Sequence, residues 1–136
     1  MSKPLPSAVY RIAPQRGQAD CAVAAMAFIF RRDQEEVLIA ASHVDPTVWR
    51  TGLSCTQMSK IARRLKIKTR WNSHFDTDES IGVLWVGFHD NTKEHCVVLI
   101  EGWIYGVEHD PVSMWRYDEY MKVRNAYGGS LMEVIE

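Results

Sequence analysis

Residues 21–32 read CAVAAMAFIFRR behind Asp20, and this run constrains the fold more than any other segment. Alanine is the best helix former, aspartate is a good N-cap, and arginines suit the negative end of the helix dipole. The spacing predicts a helix over Cys21–Arg32 with almost no polar side. Such a helix has to be covered on nearly every face, so it belongs at the centre of a core. It is too short to cross a bilayer, which takes about 20 residues. The chain around it has 136 residues, 46% hydrophobic and 24% charged, which suits one domain and does not suit disorder. A chain of this size buries roughly two-thirds of its unfolded surface, so it needs no disulfide or metal staple.

The elements that follow divide into two kinds. Asp33 can cap a second helix over Gln34–Ser42, with Val37, Leu38 and Ala41 on one face. After a turn at Gly52, Ser54 or Thr56 can cap a third helix over Cys55–Lys66, with Met58, Ile61, Ala62 and Leu65 at helical spacing. Beyond it the pattern changes. Residues 67–71, 81–88 and 95–109 are rich in β-branched and aromatic side chains and broken by Gly, Asp and Asn, which predicts strands with a hairpin turn at Glu101-Gly102. A short helix over Tyr117–Lys122 and a last strand over Ser130–Ile135 complete the pattern, with Gly128-Gly129 as a loop before that strand. Helices first and an antiparallel sheet second make the chain α+β. The proline-bearing residues 1–14 read as an extended arm, and 15–136 as one domain.

Charge and cysteine usage narrow the class. Sixteen Lys plus Arg against seventeen Asp plus Glu leave a net charge of -1, which argues against a nucleic-acid or anionic-membrane binder. The basic residues Lys60, Arg63, Arg64, Lys66, Lys68 and Arg70 read as the wet face of a helix and its flank. Three cysteines, Cys21, Cys55 and Cys96, with no C-x-x-C pair, do not make a disulfide scaffold. No secretory signal is visible at the N-terminus, so a reduced, cytoplasmic setting is expected. His43, His74 and His89 with Asp45, Asp76, Asp78 and Asp90 match no metal-ligand spacing, and no cofactor is expected.

The chemistry centres on Cys21. At a helix N-terminus, unpaired N–H groups and the positive dipole end favour a thiolate, although a free cysteine is as often a small buried apolar residue. A cysteine nucleophile needs a base and a group that orients it. His95 opens the strand HCVVLI, and Asp110 comes fifteen residues later at the end of the neighbouring strand, so hairpin geometry can bring the two side by side. Asp110-Pro111 is also a strand-ending turn, and His109 is a second histidine nearby. Gln15 and Gln18 both precede the nucleophile closely enough to offer an oxyanion-hole amide.

These residues resemble a known family, the papain-like cysteine peptidases, and within it the domain that cleaves bacteriocin leaders after a double glycine. That family places a glutamine six residues before the nucleophile and an acidic residue directly before it, which Gln15 and Asp20 match and Gln18 does not. Gly52-Leu53-Ser54, His95-Cys96-Val97-Val98-Leu99, Asp110-Pro111 and Tyr117-Asp118-Glu119-Tyr120 are similar to its later motifs, in the same order, from about Gln15 to Val134. Two features depart from it. Ala22 stands where that family usually has glycine, and no transporter part accompanies the domain.

The resemblance implies a papain-like fold with N-terminal helices on a C-terminal antiparallel sheet. It implies Cys21 as nucleophile, His95 as general base and then acid, Asp110 as its orienter, and Gln15 as the oxyanion-hole amide. The expected partner is a peptide or protein substrate, cut after small residues such as Gly-Gly. Alternative functions are a non-catalytic peptide- or protein-binding module on the same fold, or a thiol isopeptidase or acyltransferase.

Overall fold

The computed structural model describes residues 21–46, 53–90, 94–106 and 113–135. The arm 1–14, Gln15, Gln18, Asp20, Trp49, Gly52, His109, Asp110 and Pro111 lie outside them.

Helix α1 spans Cys21–Phe30, and Ala22, Val23, Ala24, Ala25, Met26, Ala27 and Phe30 are all buried. The all-apolar run is thus the centre of the core. The helix stops two residues short of the expected Arg32. Arg31 turns left-handed (φ 57°), and the N–H of Arg32 reaches back to the carbonyl of Ala27 at 2.9 Å, closing the helix as a Schellman-type end. Helix α2 (Gln34–Val44) runs two residues further than expected, behind an Asp33 N-cap whose side chain makes no capping bond. Helix α3 (Cys55–Arg64) starts in a capping box. The Ser54 hydroxyl accepts from the Gln57 N–H at 3.2 Å, and the Ser54 N–H donates to Gln57 Oε1 at 2.8 Å. The amide of Gln57 also donates to Asp45 at 3.0 Å, tying α3 to the end of α2. At its far end Lys66 is left-handed (φ 61°), with the Ile67 N–H on the Ala62 carbonyl.

Six strands, β1 (Thr69–Asn72), β2 (Ile81–Phe88), β3 (Glu94–Ile100), β4 (Trp103–Gly106), β5 (Ser113–Arg116) and β6 (Ala126–Val134), form one antiparallel sheet in the order β1-β6-β2-β3-β4-β5. The short helix α4 (Tyr117–Val123) precedes β6. The fold is α+β, as the order of patterns predicts. The β3–β4 hairpin turns at Glu101 and Gly102, both with positive φ (47° and 94°), which is the backbone of a two-residue type I′ turn.

Side chains alternate across the sheet and divide the interior into two clusters. On one face Val83, Cys96, Val98, Ile100 and Met132 pack under α1, α2 and α3. On the other, Leu84, Val86, Val97, Leu99, Ile104 and Leu131 pack around Tyr120 of α4. Central strands covered on both faces read as continuous apolar runs, which is why 81–88 and 95–100 carry no polar alternation. The described tryptophans Trp71, Trp85 and Trp103 pack on the first cluster and Trp115 on the second.

Three expectations need correction. The last strand starts at Ala126 rather than Ser130, and Gly128-Gly129 lie inside it rather than in a loop. They sit at a bulge. Leu84 pairs with Leu131 and Val86 with Gly128, so β6 carries one residue more than β2 opposite Trp85. A Cβ on Gly129 would stand 3.1 Å from the Trp85 carbonyl oxygen, so the close strand approach, not turn flexibility, explains the glycine. Strand β5 was not anticipated. It has four residues, lies at the sheet edge and never buries a complete face.

Candidate active site

The sulfur of Cys21 is placed by the packing of α1 on β3. It accepts hydrogen bonds from the side chain and the backbone N–H of Cys96 and from the side chain of His95. The residues that act on the sulfur are two neighbours in β3, His95 and Cys96. Cys21 and His95 are partly exposed, whereas Cys96 is buried at 2% exposure.

These contacts decide the protonation states. The Cys21 thiol is lowered from an ordinary 9.0 to about 4, chiefly by the hydrogen bond from Cys96, with His95 adding a hydrogen bond and its charge; burial opposes them. Cys96 moves the other way. Its proton is held between the two sulfurs, and burial together with the nearby Cys21, Cys55 and Glu94 charges pushes it well above the usual range. Cys55, at the start of α3, is raised by burial and by Glu94. The three thiols are therefore one neighbourhood, and Cys21 alone among them is shifted toward the thiolate.

Of the four residues expected to act together, the structure brings Cys21 and His95 into contact; Asp110 and Gln15 lie outside the described residues. The role of Cys96 was missed in the sequence, where it counted only as an apolar strand residue. The strand period carries only part of the signal, because it groups residues by face without saying which face meets the helices. Cys96 shares parity with Val98 and Ile100, so it faces the helices and not the opposite cluster. Among the described residues, no group of three or more His, Cys, Asp or Glu is arranged to hold a metal ion. None of the described helices is long and apolar enough to cross a membrane. All six residues of the basic cluster are exposed, and Arg70 pairs with Glu133 at 3.4 Å.

No family model and no curated protein matches the chain. What the site can do follows from its chemistry alone. A cysteine whose thiol is lowered to about 4 at the start of the described α1, beside a histidine, has the makings of a nucleophile with a proton-transfer partner.

Proposed function

We propose that this chain is a cysteine peptidase of papain-like type. The observation that carries the reading is the Cys21–His95 contact at the start of α1, with the sulfur held as thiolate. In this reading the Cys21 thiolate attacks the scissile carbonyl carbon. His95 gives its proton to the departing amine, leaving a thioester on Cys21. His95 then takes a proton from water as the hydroxide attacks the thioester, and the acid leaves with Cys21 restored. Gln15 and the Cys21 N–H stabilise the tetrahedral oxyanion, and Asp110 orients His95.

The Cys96 donors modify this scheme. They stabilise the resting thiolate and must be released or stretched as the sulfur turns to carbon, so part of the ionisation is gained at the expense of nucleophilicity. A peptide library incubated with the full chain and read by mass spectrometry tests the reading. Cleavage after small residues such as glycine, lost by at least about 10³-fold in Cys21→Ala, supports it. Cleavage that is equal in wild type and Cys21→Ala, or no cleavage of any peptide, contradicts it, and equal acceptance of bulky residues contradicts the small-residue specificity.

A further inference from the structure

Cys21 has a second thiol against it, and peptide hydrolysis as described has no use for that thiol. The S–H of Cys96 donates to the Cys21 sulfur, and the N–H of the same residue fixes the sulfur in place. The pair comes from two packed elements, the first residue of α1 and the third of β3, so each approaches the other from a rigid scaffold. Their exposures are opposite. Cys21 is reachable from solvent, while Cys96 is closed off beneath it. An accessible thiolate above a buried, protonated thiol in contact with it is the arrangement that traps an oxidised sulfur before a second oxidant molecule arrives.

We propose that Cys21 and Cys96 form a reversible disulfide when a hydroperoxide oxidises Cys21, which silences the nucleophile and protects it from irreversible oxidation. The Cys21 thiolate attacks the distal oxygen of the hydroperoxide. The O–O bond breaks, the alcohol or water leaves with a proton, and Cys21 becomes a sulfenic acid. Cys96 then attacks that sulfur. The S–O bond breaks, the proton of Cys96 leaves with the hydroxyl as water, and an S–S bond forms. In sum two thiols and one hydroperoxide give one disulfide, one alcohol (water, from hydrogen peroxide) and one further water, with two electrons passing from sulfur to oxygen. The disulfide sets the two sulfurs roughly 2.05 Å apart, between elements that already pack on each other. Cys55 is the competing partner, but it acts on Cys96 through its charge and not through a hydrogen bond.

The inference rests on Cys21 being the reactive thiol of the proposed peptidase, and its readout does not depend on peptide cleavage. Trypsin places the three cysteines on separate peptides, residues 17–31, 51–60 and 94–116, so any linkage is unambiguous. The reduced full chain is treated with graded hydrogen peroxide, quenched by alkylation, digested without reductant and mapped by mass spectrometry. The expected product joins 17–31 to 94–116, is restored by dithiothreitol, and persists in Cys55→Ser. In Cys96→Ala the same treatment yields a dimedone-reactive sulfenic acid at Cys21 that passes to sulfinic acid, with at least about 10-fold less thiol recovered by dithiothreitol. The wild-type map decides the matter even if that variant fails to fold. Cys21 passing to sulfinic acid without the linked peptide, or linking instead to Cys55 or to a second molecule, overturns the proposal. A linked peptide without peptide cleavage leaves the switch standing and removes the peptidase; cleavage without the link does the reverse.

Discussion

The two faces of the sheet are built from different materials, and the difference explains where the chemistry sits. The face under α1–α3 is the richer in small residues, among them Ala22, Ala25, Ala41 and Ala62, which pack with larger ones such as Met26, Met58, Ile61 and Tyr105 and with the thiols. The opposite face, under α4, is filled by Leu84, Leu99, Ile104, Leu131 and the Tyr120 ring, with Trp115 meeting that ring edge-on. Large side chains hold a helix away from a sheet; alanines let it approach. On the alanine-rich side the first described residue of α1, Cys21, comes close enough to β3 for Cys96 to shift its thiol. The bulky face supplies burial, and the small-residue face supplies position.

That contrast can be broken from either side. Leu99→Ala hollows the bulky face and should cost about 2–5 kcal/mol of stability, read by denaturant melting, while the pH profile of Cys21 alkylation stays in place. Ala25→Leu overfills the small-residue face and should cost about 1–3 kcal/mol, but it should also lift α1 from β3 and move the Cys21 profile toward higher pH. Equal behaviour of the two variants in the alkylation assay would remove the distinction between the faces. Ser54→Ala sharpens it at lower cost. Loss of the capping box should destabilise by about 1 kcal/mol, without a change at Cys21. The smallest effect should come from Lys66→Gly. Relief of the left-handed backbone at φ 61° outweighs the added chain entropy of glycine, and a gain of about 0.5 kcal/mol should appear as a slightly higher Tm.

Much of this was legible in the sequence wherever a local pattern decided the outcome. The all-apolar run from Cys21 gave no face to solvent and had to be central. Gln34, Cys55 and Tyr117 each begin a helix where the caps and periodicity put one, and Ile81–Phe88 forms a strand to the residue. The misses share a cause: they depend on partners distant in the chain. Arg31 ends α1 through backbone geometry that no residue type announces. Gly128-Gly129 look like a loop until Trp85 is known to lie opposite them. Strand β5 exists because β4 offers an edge, not because SMWR has a strand pattern of its own. In the site, Cys21 and His95 could be paired from helix-start and strand-start chemistry. Cys96 could not be recognised as their neighbour without knowing which face of β3 meets α1.

The most direct test of the site is the pH dependence of iodoacetamide alkylation, read separately for the three cysteines by mass spectrometry in wild type and His95→Ala. A thiol with the ordinary value of 9.0 is only about 0.1% ionised at pH 6. Because the Cys21 value is lowered, its thiolate persists as pH falls through neutrality and is lost only as pH nears the lowered value. Cys55 and Cys96 are raised and stay protonated there. Wild-type Cys21 should therefore label at pH 6 almost as fast as at pH 8 and far ahead of the other two. Removing His95 takes away one hydrogen bond and one positive charge, so the fall in rate should move to higher pH. If Cys21 labels at pH 6 no faster than Cys55 or Cys96, or if His95→Ala leaves its profile unmoved, Cys21 and His95 are not a thiolate–imidazolium pair and the proposed peptidase mechanism fails.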